Sequence, residues 1–432
     1  MAKVLTRDSK LHSIPMSHLE RLGSILSMNG KWKEFAATLK NRKGQDKFED
    51  YQIAELEMQP RPGVLVLRSL FHDNTTIGQT MDLFLNPELN LVRLAHYLRV
   101  DVLGEPDEEE DQEEADDSTE WQNDLILSPE TPHQFTPRQL SQLTGGFNPT
   151  PLDEGGSYVA KGGFGEVYYG KLKDQELAIK RFMKKADSKE QEFTVKQFQN
   201  EMNIQKGLTH RNILPLLGYC EEAPCFVVYP YMVYGSLEDC LACKNGKAPL
   251  EGWNRVPIVR GIADGINYLH TSRPGSPLIH TDLKSANILL DKNTTAKICD
   301  FGLMRTMTIH ANTTKIITKE VTGTFCYMPP EGFDCQISPP WDIYSFGVII
   351  LEVLTGLAAW DSEREFKSLK GLWEEAEDQE ELVDPKGQPW PSGTISCLRE
   401  LADQCLEPNR HNRPPIQKVV EQLEMMKCMS DA

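Results

Sequence analysis

One run of charge limits how this chain can fold more than any other feature. "EPDEEEDQEEADDSTE", residues 105–120, holds eleven acids and no base. Such a run repels itself and cannot enter a core, so it reads as part of an extended, solvated tether over 105–150. The sequence on its two sides differs in texture. Residues 1–104 read as helical. "SHLERLGSIL" sets Leu19, Leu22, Ile25 and Leu26 on one face, and "RPGVLVLRSLF" opens on a proline suited to a first helical turn before Val64, Leu67 and Phe71. "TIGQTMDLFLNPELNLVRLAHYL" gives two further apolar stripes split at Asn86-Pro87. The spacing predicts a small bundle of five or six helices. It holds 14 Lys+Arg against 12 Asp+Glu and no catalytic constellation. It can be a structural cap, but the tether that follows favours an interaction module.

From about 151 the texture turns to strands. "GGFGEVYYG" and "ELAIKRF" read as paired strands joined by a turn at Lys173-Asp174, "VKQFQNEMNIQKGL" as an amphipathic helix, and "CFVVYPYM" as a buried strand. After residue 233 helices dominate: "RVPIVRGIADGINYLH" spaces Val256, Val259, Ile262, Ile266 and Leu269 along one face, and "DIYSFGVIILEVLTG" is apolar all round. A small mixed lobe followed by a larger helical lobe predicts a cleft between them. The formal charge of −18 argues against nucleic acid as a partner. All ten cysteines lie after residue 219, and they read as reduced thiols, Cys240 and Cys243 included. "MAKVLTRDSKLHSIP" has no apolar core for a signal peptide, and the most apolar segment, residues 346–360, is interrupted by Glu352 and too short to span a bilayer. A soluble, cytoplasmic protein is expected.

The second half carries chemistry. Gly162, Gly163 and Gly165 in "VAKGGFGEVYYG" let a turn approach phosphate oxygens closely, with Val167 placed over a flat ring; alone, the cluster reads equally as a hairpin turn. Thirteen residues after Val167 stands Lys180 in "LAIK". A lysine between apolar strand residues needs a partner, and Glu201 on the next helix supplies one. "IHTDLKSANILL" then presents Asp282, Lys284 and Asn287, and Asp300 opens "DFG". Phosphoryl transfer needs a held Mg²⁺, a positioned hydroxyl and neutralised charge. Asn287 and Asp300 offer hard oxygen ligands, Asp282 can accept the hydroxyl proton, and Lys284 can stabilise the moving phosphoryl group.

These residues resemble the protein-kinase signature set, in order from the glycine loop through "LAIK", "HTDLKSAN", "DFG" and "MPPE", over roughly 155–428. The resemblance implies an α+β bilobal protein-kinase fold over 151–430, with a small lobe at 151–232 and a large lobe at 233–430, binding ATP and Mg²⁺. It implies that Lys180, Glu201, Asp282 and Lys284 are catalytic and that Asn287 and Asp300 hold metal. Gly162, Gly163, Phe164 and Gly165 would cover the phosphates. Val159, Val167, Ala178, Tyr229, Met232 and Leu289 would surround the adenine. Glu331 would pair with Arg413, Asp342 would brace the catalytic loop, and Lys284 with Thr324 looks like the serine/threonine branch.

"VVYPYMVYGSLEDCL", "LKSANILLD" and "DIYSFGVIILEVLTG" further resemble the interleukin-1 receptor-associated and Pelle-like kinases, and the first hundred residues resemble their all-α death-domain bundle. That resemblance implies Toll-like and interleukin-1 receptor signalling, a MyD88-type adaptor and sister kinases as partners, and recruitment to receptor complexes at the membrane. Three positions depart from the kinase pattern: Ala160 for the first loop glycine, "PPE" for "APE", and Thr281 where arginine is usual. Thr281 cannot bind a phosphate bidentately, which separates activation-loop phosphorylation from catalysis. Thr314 and Thr318 are the expected autophosphorylation sites, with Arg305 or Lys319 as the substitute cation. The competing reading is a kinase-fold scaffold without turnover.

Overall fold

The computed structural model describes residues 5–27, 31–39, 47–57, 59, 62–70, 75–85, 91–103, 121–162, 165–182, 188–307, 315–317 and 323–430. The acidic run, Phe71, Asn86-Pro87, Gly163, Phe164, Thr314, Thr318 and Lys319 fall outside them. The chain divides into two compact units, Met1–Thr119 and Glu120–Ala432.

The first unit is helical. Among the described residues it contains α1 (Met16–Ser27), α2 (Lys31–Thr38), α3 (Asp50–Glu57), α4 (Pro62–Ser69), α5 (Ile77–Phe84) and α6 (Val92–Tyr97). α5 starts where it does because Thr76 and Gln79 form a capping box: Gln79 N donates to Thr76 Oγ1 at 3.2 Å and Thr76 N to Gln79 Oε1 at 2.9 Å. Leu19, Leu22 and Leu26 of α1, Phe35 of α2, Leu67 of α4 and Phe84 of α5 share one core. The backbones of α1 and α4 approach closely at Gly23, where an added Cβ would lie 2.6 Å from Val64 Cα and N. Gly23→Ala is therefore expected to destabilise this unit by about 1–3 kcal/mol, read as an earlier denaturant transition of the full chain. An unchanged transition would mean that the two helices do not meet there.

The second unit begins with chain expected to be tether. Residues 121–149 are folded instead, because they contain apolar side chains that the acidic run lacks. Trp121–Asp124 forms a turn, β1 (His133–Gln134) follows, and α7 (Pro137–Leu143) is started by a second capping box between Thr136 and Gln139. Leu127, Phe135, Leu140 and Leu143 pack with Leu177, Ile179, Phe226 and Val228 in one cluster. β1 pairs in parallel with β5 (Gly218–Cys220), His133 opposite Gly218. The rest of the sheet is antiparallel: β2 (Tyr158–Lys161), β3 (Gly165–Leu172), β4 (Gln175–Phe182) and β6 (Phe226–Pro230) complete the order β1-β5-β6-β4-β3-β2. β3 and β4 are joined by a two-residue turn with Lys173 at φ 53°, the left-handed conformation that such hairpins demand. α8 (Ser188–Gln205) packs against this sheet.

The large lobe is organised around α10 (Pro340–Thr355), in which every residue from Trp341 to Thr355 is buried. α9 (Gly252–Thr271), α11 (Thr394–Cys405) and α12 (Ile416–Ser430) surround it. Two of its buried cations are held by carboxylates. Arg413 donates to both oxygens of Glu331, at 2.6 and 2.8 Å, and Arg255 to Asp384 at 2.5 Å. No helix of the described residues is long and apolar enough to cross a membrane.

Candidate active site

Lys180 lies in β4 with its register fixed on both sides, opposite Val167 of β3 and Val227 of β6. Its Nζ donates to Glu201 Oε2 at 2.8 Å and to Asp300 Oδ1 at 3.0 Å. The three groups tune one another. Burial works against the charge on Lys180, but Asp300 and then Glu201 outweigh it and hold its pKa above the ordinary value. Burial also works against the Asp300 carboxylate, yet Lys180 prevails and lowers it. For Glu201, which is 1 % exposed, burial wins over Lys180 and raises the pKa. The Tyr229 hydroxyl lies 2.6 Å from both Glu201 Oε1 and Gln205 Oε1, so its one proton serves one of them at a time.

Asp300 sits at φ 66°, ψ 70°, a left-handed turn that swings its carboxylate toward Lys180 while Phe301 is buried. Asn200, beside Glu201 on α8, holds that turn. Its Nδ2 lies 2.8 Å from Gly302 O, 3.0 Å from Met304 O and 3.3 Å from Phe301 O. One amide thus ties the helix bearing Glu201 to the segment bearing Asp300. No local pattern signals this, since an asparagine in an amphipathic helix reads as an exposed polar residue.

The catalytic loop hangs from Asp342 at the start of α10. Asp342 Oδ2 accepts from His280 N at 2.9 Å and bonds His270 Nε2 at 2.8 Å, and Oδ1 accepts from Thr281 N at 3.1 Å. Thr281 turns inward at φ 65°, and its hydroxyl donates to Leu303 O at 2.9 Å. It links the loop to the chain after "DFG" through a neutral bond. His280 Nε2 donates to Cys299 O at 3.0 Å, and Cys299 N to Asn287 O at 3.0 Å, so the residue before Asp300 is tied to the loop at two points.

Asp282 is the hub of the loop. Its Oδ1 accepts from Thr324 N at 2.9 Å and Thr324 Oγ1 at 2.8 Å. Its Oδ2 accepts from Lys284 Nζ at 2.9 Å and Asn287 Nδ2 at 3.3 Å. Lys284 also reaches Thr324 Oγ1 at 2.9 Å. The amide of Asn287 donates to Asp282 O at 2.8 Å, which turns its other end away from that bond.

Ala178, Tyr229, Met232 and Leu289 belong to one packed group beneath the sheet. Val159 and Val167 do not: Val159 is exposed and Val167 half-buried. Gly162 N donates to Gly165 O at 2.8 Å, closing the loop, and an added Cβ at Gly162 would meet nothing nearer than that oxygen at 3.8 Å.

A second network lies behind Asp282. Ser285 Oγ and Tyr327 Oη each donate to Glu352 Oε1 at 2.9 Å, and Glu352 Oε2 is buried without a partner. Burial pushes the Glu352 carboxyl up to about 8. A carboxyl whose folded pKa lies above its unfolded value binds a proton more tightly when folded. Its stabilisation is complete below about 4.5 and is lost as pH rises to about 8. Glu352→Gln is therefore expected to lose less melting temperature than wild type between those limits. Parallel melting curves for the two would refute it.

A protein-kinase domain model matches residues 155–423. This chain belongs to the protein kinase family. Several relatives are serine/threonine-protein kinases by name. The probable serine/threonine-protein kinase PBL28 of Arabidopsis thaliana is 34% identical over 311 residues, covering 68% of this chain and 78% of that protein. Chitin elicitor receptor kinase 1 of the same plant is 32% identical over 305 residues, 68% of this chain and 46% of its own length. U-box domain-containing protein 33, also from Arabidopsis, is 34% identical over 300 residues, 68% and 34% respectively. The kinase domain is of the serine/threonine type. This chain spans about a third to a half of the length of the larger relatives. These plant receptor-like and PBL kinases overturn the assignment to the interleukin-1 receptor-associated and Pelle-like family. One of the stretches that suggested it, "DIYSFGVIILEVLTG", forms the buried centre of the large lobe. It reports the fold rather than the branch.

Proposed function

We propose that this kinase domain transfers the ATP γ-phosphate to serine or threonine hydroxyls of proteins, itself and related kinases among them. The observation that carries the reading is Lys180 bonded at once to Glu201 and Asp300, a buried cation held ready for phosphate oxygens. The donor set fits Mg²⁺. Among the described residues no group of three His, Cys, Asp or Glu could hold a metal unaided. Mg²⁺ needs only one or two carboxylates beside water and substrate phosphates. Asp300 and Asn287 would hold it, and when bound it supplies neutralisation of the phosphate charge. Lys180 orients the phosphates, with Glu201 fixing its position. Asp282 receives the proton of the attacking hydroxyl at Oδ2, and Lys284 stabilises the transferring group.

The N-terminal helices are proposed as an adhesion module for a partner bundle of like kind, an adaptor or another kinase. Their single apolar core and the absence of a catalytic constellation among the described residues support this. A role in Toll-like or interleukin-1 receptor signalling rested on the overturned family assignment and goes no further. The test is phosphate transfer from labelled ATP to a protein substrate with Mg²⁺, with Asp282→Asn as control. Equal transfer by both proteins, or none by either, ends the reading.

A further inference from the structure

The far face of the small-lobe sheet carries a cluster that the phosphoryl-transfer groups leave unused. Glu166 of β3 stands opposite Arg181 of β4, one step from the pair Val167 and Lys180. Side chains alternate along a strand, so Glu166, Tyr168 and Arg181 share the face turned away from Lys180. Arg181 Nη2 donates to Glu166 Oε2 at 2.8 Å and to Tyr168 Oη at 3.2 Å. Tyr168 Oη donates in turn to Glu166 Oε2 at 3.0 Å. The bond from Arg181 is the first cause holding the Glu166 carboxyl below its ordinary pKa. The guanidinium carbon lies 5.2 Å from the centroid of the Tyr168 ring and 5.5 Å from that of Phe147. Phe147 comes from outside the sheet. It follows α7, stands at φ 54°, and its N donates to Thr144 Oγ1 at 3.1 Å. Its ring stacks on Phe226 of β6, with centroids 5.2 Å apart and planes at 16°, and meets Tyr168 edge-on at 5.2 Å. The segment upstream of the sheet thus grips the residue next to Lys180.

Magnitude and place decide what the cluster is for. The Arg181 and Glu166 side chains are 33 % and 20 % exposed, and ion pairs that water reaches contribute only about 0–1 kcal/mol. As a stabilising device the pair is weak. Its place is more telling. Glu166 directly follows Gly165, whose carbonyl accepts from Gly162 N at 2.8 Å and so closes the glycine turn. Gly165 is also the first residue of β3, where the ladder with β4 ends opposite Phe182. An added Cβ there would lie 2.3 Å from Arg181 O, so the strand bearing Arg181 abuts the stem of the turn.

We propose that Arg181, held between Phe147 and Tyr168, is a positioning residue that fixes the stem of the glycine turn through Glu166 and so sets how tightly the phosphates of ATP are held. It touches neither ATP nor the metal, and it acts from the opposite face of the sheet. This rests on the kinase reading above and deepens it, because the upstream segment that supplies Phe147 becomes part of the support of the phosphate site.

The test is equilibrium binding to the full chain, so it does not depend on turnover. Affinities for ATP with Mg²⁺ and for adenosine are measured by calorimetry in wild type, Arg181→Met, Glu166→Gln and the double variant, with melting temperature alongside. Each single variant is expected to bind ATP about 10-fold more weakly and adenosine within about twofold of wild type. Melting temperature is expected to move by no more than about 4 °C. Glu166→Gln is the sharper arm. Loss of a negative charge by itself favours a polyanion, so weaker ATP binding in that variant reports position rather than charge. The double variant is expected to match the singles, since each breaks the same link. ATP affinity unmoved in Glu166→Gln overturns the proposal. Equal losses for ATP and adenosine with a lower melting temperature also overturn it and make the cluster structural support alone. ATP binding by wild type without phosphate transfer ends the kinase reading alone, and no ATP binding by wild type ends both.

Discussion

Asp282→Asn is expected to lower kcat by about 10²–10⁴-fold while the domain stays folded. Asparagine keeps the size of the side chain and can still accept from Thr324 through Oδ1. Its NH₂ group, however, replaces the oxygen that accepts from Lys284 Nζ and Asn287 Nδ2, so donors face donors. The proton acceptor is gone and the loop is locally repelled. Single-turnover transfer from labelled ATP, with melting temperature and ATP affinity measured alongside, isolates the chemical step. A variant within tenfold of wild type would place the proton elsewhere.

Lys180→Met is expected to cost both activity and stability. Removing one donor aimed at developing charge lowers kcat by about 10²–10³-fold. The stability loss comes from Glu201, 1 % exposed, and Asp300, 27 % exposed, left facing each other without a cation. Breaking a buried pair costs on the order of 3 kcal/mol, and the partial exposure of Asp300 reduces that figure. The two losses are separable. Adding Glu201→Gln to Lys180→Met removes one of the stranded carboxylates and should restore much of the melting temperature with none of the transfer. If the double variant melts no higher than the single, the stability of Lys180 does not come from this triad.

The polar constellation was legible because phosphoryl transfer needs particular groups, and a strand lysine such as Lys180 conflicts with its surroundings unless it has work there. The helical first unit was legible because Leu19, Leu22 and Leu26 recur at helical spacing. Other features left no local trace. Asn200 acts on carbonyls about a hundred residues away in sequence, and no pattern records that pairing. Glu352 reads as an interruption of an apolar helix, and only the fold places Ser285 and Tyr327 against it. Residues 121–149 read as tether because the acidic run dominates their neighbourhood, although Leu127, Phe135 and Leu140 pack in a core. The branch of the family is misread for the opposite reason: a run such as "DIYSFGVIILEVLTG" answers to burial at the centre of a lobe, a demand that does not single out a branch.

The parallel ladder between β1 and β5 has a practical corollary. A sheet margin left bare offers unmet amides to any passing strand. Here upstream chain closes that margin, so a fragment begun at residue 151 for convenience would lose its guard and invite stacking into aggregates. Expression boundaries for the catalytic half belong upstream of Trp121, where the protective segment begins.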